Sequence, residues 1–367
     1  MIRPPLAPAV IAALAISLPA HADAWTRSLE KKGIDPNDVP NPIAITPRVE
    51  QAARTWAGGG GGDVDQLRRI QSALYDPTRF NLVYDAGTTL TAEEALEAGR
   101  GNCVTSTSLF IALARARGIR VRPGYVTPRA IGEKKGDLVF VTTHVVAVFE
   151  NFQRSVVFDF YRESQEPSTV ELIDDLTLAA LYLNNRAVDR LSRGELEAAE
   201  HDFDIVVKLA PQFVAAHANL GVLRRRRGEV SGAFDAYRKA LALDPDNPVV
   251  LGNLAALYAS LGRSRDAKAA LELADLGEAT PYTILARGDL EMADGRYDDA
   301  LKLYRRAARA GPRLPEPYVA IARLERARGR PAEARRAIDR ALRLVPGHAE
   351  AASLDAELKA AGGVPPP

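Results

Sequence analysis

Two patterns of hydrophobic spacing divide the chain near residue 175. Beyond it, apolar positions recur at the three-to-four-residue interval of amphipathic helices, and Ala, Leu, Arg and Glu dominate up to about residue 361. This half also repeats itself. Small residues stand at Ala199, Ala233, Ala267, Ala300 and Ala334, spaced by 34, 34, 33 and 34 positions. Four residues after each comes a large side chain, at Phe203, Tyr237, Leu271, Tyr304 and Ile338, and three further on a small or medium one, at Val206, Ala240, Ala274, Ala307 and Ala341. Prolines close four of the units, at Pro211, Pro245, Pro312 and Pro346; the unit at 248–280 has Ala279 in that place and Pro281 two residues late. The small positions let paired helices approach closely, the large ones fill the neighbouring groove, and proline ends the second helix. Residues from about 348 to 361 predict a last helix that covers the final unit.

The first half mixes signals. A short basic start at Arg3, an apolar run over 9–18 broken only by Ser17, and Ala20-His21-Ala22 predict a secretory signal over 1–22, cleaved near Ala22. The run is too short to span a bilayer, which takes about 20 apolar residues, and no later stretch reads as a transmembrane helix. The expected product is exported, periplasmic or secreted. Five glycines, 58–62, predict a surface loop. Thr91-Ala92-Glu93-Glu94 is a capping box opening a helix that Gly99 ends, and a second helical pattern runs from Cys103 to Arg117 with a stop at Gly118. Strands are predicted over 119–126, 138–150 and 155–160, the last two joined by Asn151-Phe152-Gln153-Arg154 as a hairpin.

Charge narrows the partners. Lys and Arg number 48 against 47 Asp and Glu, a formal net charge of +1, which excludes bulk electrostatics as the route to nucleic acid or anionic membrane. The cysteine count narrows the chemistry. One cysteine, Cys103, excludes an internal disulfide and a cysteine-built metal site, and no metal or cofactor is expected. It falls in the first turn of a predicted helix, where the helix end favours thiolate over thiol. Of the five histidines, His21 lies in the signal and His201, His217 and His348 lie in the repeats, which leaves His144 as the imidazole eligible to serve the thiol. A hairpin turn centred between Phe152 and Gln153 places Val146 opposite Asp159, with His144 on the same face as Val146. Asp159 is then a diagonal neighbour of His144, Cβ atoms within roughly 7–8 Å, whereas a slip of one residue would separate them. A solvent-facing aspartate on an edge strand is the alternative.

These residues carry a resemblance. Gly101-Asn102-Cys103, the stretch 109–119, His144-Val145-Val146-Ala147-Val148 and Val157-Phe158-Asp159 resemble the transglutaminase-like superfamily, a cysteine-protease fold, over about 65–165. The 34-residue units, with Asn219-Leu220-Gly221 and Asn253-Leu254-Ala255, resemble tetratricopeptide repeats. The whole resembles a bacterial exported group that joins the two. The implied fold is α+β, a papain-like domain followed by an all-α solenoid. Its boundaries are a signal at 1–22, the transglutaminase-like domain with a helical extension at 23–175, five repeats and an end helix at 176–361, and a disordered tail at 362–367.

The resemblance implies Cys103 as nucleophile, His144 as general base and then acid, and Asp159 as the group that orients the imidazole. The family often has an aromatic after the histidine, where this chain has Val145. Asn102 is open between an oxyanion-hole donor and a turn residue. The implied activity is a cysteine-dependent amidase, peptidase or acyltransferase acting on a protein or cell-envelope peptide, with the repeat groove docking substrate or a protein partner. The alternative is a catalytically silent adaptor built on the repeats. Inward candidates Asn184, Arg225, Arg226, Arg323 and Arg326 favour an acidic or carboxylate-bearing partner, unless Arg224 to Arg227 form a solvated charged run.

Overall fold

A computed structural model describes residues 18–135, 138–160, 169–276 and 279–362. Most of the predicted signal, 1–17, and the tail 363–367 lie outside the described residues.

One helix organises the first half. Helix α5 (Cys103–Ala116) is buried at every position from Cys103 to Ala114. Its sequence is accordingly apolar or small all round, the pattern of a helix with no face turned to water. Helix α1 (Leu18–Glu30) opens the described chain; helices α2 (Pro47–Ala57), α3 (Asp63–Tyr75) and α4 (Ala92–Ala98) pack around α5, the two-residue strands β1 (Val83–Tyr84) and β2 (Arg100–Gly101) pair in parallel, and a four-stranded antiparallel sheet covers the rest. The glycines 58–62 join α2 to α3 as expected. The Thr91/Glu94 capping box forms, and Gly99 ends α4 in the left-handed region.

The sheet order is β5 (Ser155–Phe158), β4 (Leu138–Glu150), β3 (Val121–Lys135), β6 (Val170–Leu172). The β4–β5 register pairs Ala147 with Phe158 and Glu150 with Ser155, as the predicted turn requires. Asn151 builds that turn: its side-chain oxygen accepts from the backbone of Gln153 and Arg154 at 3.0 and 3.1 Å.

Three strand boundaries differ from the sequence reading. Strand β3 runs nine residues past Val126, because the 13-residue β4 offers a ladder that a Pro- and Gly-punctuated segment would not form alone. Strand β5 ends at Phe158 rather than residue 160. Strand β6 is only three residues long, too short for a periodicity signal.

Ten helices form five antiparallel pairs. They are α6 (Asp175–Ser192) with α7 (Leu196–Leu209), α8 (Val214–Arg226) with α9 (Val230–Leu243), α10 (Pro248–Ser260) with α11 (Ser264–Leu276), α12 (Pro281–Ala293) with α13 (Tyr297–Ala310), and α14 (Glu316–Ala327) with α15 (Pro331–Leu344). Helix α16 (Ala349–Gly362) covers the last pair. Successive first helices touch one another along the solenoid, which makes them its inner face.

The repeat positions work as spacing predicts, with one refinement. A Cβ on Gly221 would stand 2.5 Å from the Tyr237 ring, and one on Gly288 would stand 2.5 Å from the Tyr304 ring. Where the large residue is the slimmer Leu271 or Ile338, the corresponding position holds Ala255 or Ala322 in the same buried cluster. Glycine thus accompanies tyrosine because only hydrogen fits beneath the ring.

No gap separates the two halves. Leu178 to Leu183 of α6, with Ile205, Val206 and Leu209 of α7, belong to the same buried cluster as α5. Arg115 at the end of α5 reinforces the join, donating to the Val121 carbonyl at 2.9 Å and to both Asp175 oxygens at 2.7 and 2.9 Å.

Candidate active site

The chain around Cys103 is shaped to start a helix at that residue. Asn102 is the N-cap: its side-chain oxygen accepts from the Thr105 N–H at 3.1 Å, while its amide nitrogen donates to Thr89 Oγ1 at 2.7 Å. Both ends of Asn102 therefore serve the scaffold, which places it on the turn side of the two roles left open. Gly101 is required by space, since a Cβ there would lie 2.3 Å from the Thr105 methyl. Cys103 then opens α5, 9% exposed, where first-turn N–H groups point out of the helix end.

His144 reaches the site from β4. Nε2 donates to Asp159 Oδ1 at 2.9 Å, and both side chains are mostly buried, 17% and 18% exposed. The Cys103 side chain hydrogen-bonds the same ring. The structure thus brings Cys103, His144 and Asp159 together. Burial of the imidazole pulls its pKa down, but hydrogen bonds to Asp159 and Cys103, with the charges of both, outweigh it and push the value up to about 9.

Asp159 lies one residue past β5, not inside a strand. Its neighbours Phe158 and Phe160 both pack on Phe110 of α5, with ring centroids 4.8 and 5.1 Å apart. Tyr75 of α3 donates to the Phe160 carbonyl at 3.2 Å. The carboxylate is aimed by aromatic grips on both sides and a tether just beyond.

Several positioning groups escaped sequence reasoning, although one signal was visible: Thr105, Ser106, Thr107 and Ser108 place four hydroxyls in a row within a buried helix. Thr105 Oγ1 accepts from the Leu90 N–H at 2.8 Å, and Ser106 Oγ donates back to the Asn102 carbonyl at 3.0 Å. Thr107 Oγ1, one turn below Cys103, donates to the Val145 carbonyl at 3.1 Å. That bond ties the helix bearing the thiol to the strand bearing the imidazole.

A cavity of about 630 Å³ opens beside this site; among the described residues Arg68, Gln71, Ser72 and Tyr75 of α3 line it with Asp76, Pro77, Asp159 and Phe160. A larger one, about 1100 Å³, lies at the other end of α5 around Arg115, Arg120 and Arg122, too remote to serve the thiol. Among the described residues no group of three His, Cys, Asp or Glu side chains could hold a metal ion. No helix among them is long and apolar enough to cross a membrane.

The inward repeat candidates are largely engaged within the chain. Asn184 is buried and accepts from Asn219 at 3.1 Å, and Arg226 donates to the Leu191 carbonyl at 3.1 Å. Arg323 pairs with Asp289 at 3.2 Å and Glu350 at 3.3 Å, and Arg326 pairs with Glu357. Arg225 makes no ion pair among the described residues. Two of the four arginines are neutralised by the solenoid's own carboxylates, which weakens the field expected to favour an acidic partner.

Comparison with known proteins agrees with this layout. Residues 50–161 match the transglutaminase-like superfamily, and residues 184–248, 224–282 and 291–358 match tetratricopeptide repeats. The chain carries a transglutaminase-like domain followed by tetratricopeptide repeats. It is similar to cellulose synthase operon protein C of Xanthomonas axonopodis pv. citri, 40% identical over 78 residues, 21% of this chain and 5% of that protein. It is also similar to tetratricopeptide repeat protein 36 of Bos taurus, 30% identical over 129 residues, 35% of this chain and 53% of that protein. The chain thus spans from a twentieth to about half the length of these curated relatives. Among solved structures it resembles a thermophilic TPR protein of Thermus thermophilus, at 22% identity and TM-score 0.45, covering 50% of this chain and 100% of that one. Pseudomonas aeruginosa pilF matches at 22% identity and TM-score 0.39, covering 50% and 93%.

Proposed function

We propose that the protein is an exported cysteine-dependent enzyme that cleaves or transfers amide or peptide bonds of a protein or cell-envelope peptide. The observation that carries this reading is the imidazole of His144 hydrogen-bonded through Nε2 to Asp159 and hydrogen-bonded also to Cys103. With Nε2 held by Asp159, proton exchange with the sulfur falls to Nδ1. An imidazole that keeps its proton through neutral pH sets a cation beside the sulfur, and a neighbouring cation favours thiolate.

Cys103 attacks the amide carbonyl, forming the carbon–sulfur bond. Collapse of the tetrahedral species breaks the carbon–nitrogen bond as His144 gives its proton to the departing amine. His144, now neutral, takes a proton from water or a second amine as that nucleophile attacks the thioester and releases the thiolate. Asp159 holds the ring in one orientation and stabilises its charged form, and the first-turn N–H groups of α5, the Cys103 N–H first, are the donors available to a developing oxyanion. Cleavage near Ala22 and export to the periplasm or beyond belong to this reading, resting on the leader sequence. The repeats dock the protein substrate or a partner.

A catalytically silent adaptor is the second reading, favoured by curated relatives named for their repeats. A peptide-amide electrophile followed by mass spectrometry separates the two. The enzyme reading expects an adduct on Cys103 that is lost in His144→Ala; an unlabelled Cys103 in the folded wild type supports the adaptor.

A further inference from the structure

Strand β4 does more than present His144 to the thiol. Strand β5 covers it only from Ala147 to Glu150, and β6 covers β3 only from Gly124 to Val126. Beyond the Val126–His144 pair the register shifts, with five steps along β3 from Val126 to Ile131 against two along β4 from His144 to Thr142. From there to the tip, the sheet narrows to a two-stranded ribbon. His144 sits at the branch point.

A lone two-stranded ribbon is marginal in water and needs a surface to lie on. The repeats supply it. Strand β4 packs against α8 and α10, and β3 against α10, so the ribbon lies on the inner face of the second and third repeats. Phe140 marks the contact: it is 2% exposed and belongs to the buried cluster of Ala187, Leu220, Val249 and Val250. Among the described residues it is the single member of that cluster from outside the repeats. Phe140 and His144 lie four residues apart, about 13 Å along the strand. On the catalytic side β4 is tied to α5 through the Thr107 bond to Val145. On the other side its anchor is Phe140.

We infer that Phe140, seated in the repeat solenoid, is a positioning residue for His144, so that the second and third repeats form one of the two supports of the catalytic geometry. This rests on the thiol–imidazole reading given above. A positioning residue touches none of the reacting groups; it acts by holding β4 in register. The groove of these repeats is therefore occupied from within, which leaves α12, α14 and α16 as the inner face open to other partners.

The test is the pH profile of Cys103 alkylation by iodoacetamide, measured on full-length chains shown to be folded by circular dichroism. In the wild type, labelling at pH 6.5 is expected to be about 10- to 100-fold faster than in His144→Ala. Phe140→Ala is expected to slow labelling at pH 6.5 by about 10- to 100-fold and to move the profile toward that of His144→Ala. Phe140→Leu, which keeps an apolar anchor, is expected to fall between. If both folded variants keep the wild-type profile, the inference is overturned. If Phe140→Ala does not fold, Phe140→Leu decides alone, and an unshifted profile again overturns it. If His144→Ala itself keeps the wild-type profile, the thiol–imidazole reading fails instead.

Discussion

The α5 region and the repeat solenoid bury their side chains by opposite strategies. Around α5 each contact is used once: one cap at Asn102, one tie from Thr107, one carboxylate at Asp159. The solenoid uses one solution five times, with a small residue beneath a large one in every pair. A unique arrangement can hold three reacting groups in register but has no spare copies, whereas a repeated one distributes stability over near-equivalent interfaces. Substitutions in the first region are therefore expected to remove activity while leaving the fold, and substitutions in the second, away from the seat of Phe140, to weaken the fold while leaving the chemistry of the folded fraction.

The largest expected effect is on chemistry. Cys103→Ala and His144→Ala should each lower turnover of an amide substrate by about 10⁴-fold, with both variants still folding cooperatively. A melt that collapses with either would erase the contrast.

The next effect is on stability. Asp202 of α7 is fully buried between Arg186 at 2.7 Å and Arg190 at 2.6 Å of α6. Asp202→Ala strands two guanidiniums and should cost about 3–5 kcal/mol in urea unfolding. Cys103 labelling per folded molecule should stay unchanged.

A smaller and sharper test uses the repeat's own alternation. Gly221→Ala should destabilise by about 1–3 kcal/mol, because the added methyl meets the Tyr237 ring. Adding Tyr237→Leu recreates the Ala255/Leu271 combination, so the double variant should be less destabilised than the two single costs added together.

The smallest effect is on pH dependence. The His144 pKa rises from 6.5 to about 9 on folding, so the imidazolium stabilises the native state fully below about pH 6.5. That contribution is lost as pH climbs through 9. The stability difference between wild type and His144→Ala should therefore shrink across this window; a constant difference would mean that His144 lacks its partners.

Much of this contrast was legible in the sequence. The repeats were visible because periodicity is a local signal summed over many copies. The His144–Asp159 pairing was legible because a short hairpin loop fixes strand parity, and one cysteine with one eligible histidine left no competing assignment. What escaped depends on docking between distant segments. The extension of β3 needed β4 as partner, the hydroxyl of Thr107 needed a carbonyl 38 residues away, and Phe140 looked like any strand residue until the repeats closed over it. Even Asn102 kept two roles until its amide was seen bonded at both ends.

The central claim is that Cys103, His144 and Asp159 act as one electrostatic unit. Its most direct test is a nitrogen-15 NMR titration of the His144 imidazole in the full-length chain. The account predicts a midpoint near 9 that falls toward the ordinary histidine value in Cys103→Ala and in Asp159→Asn. A midpoint at the ordinary value, unmoved by either substitution, would contradict it.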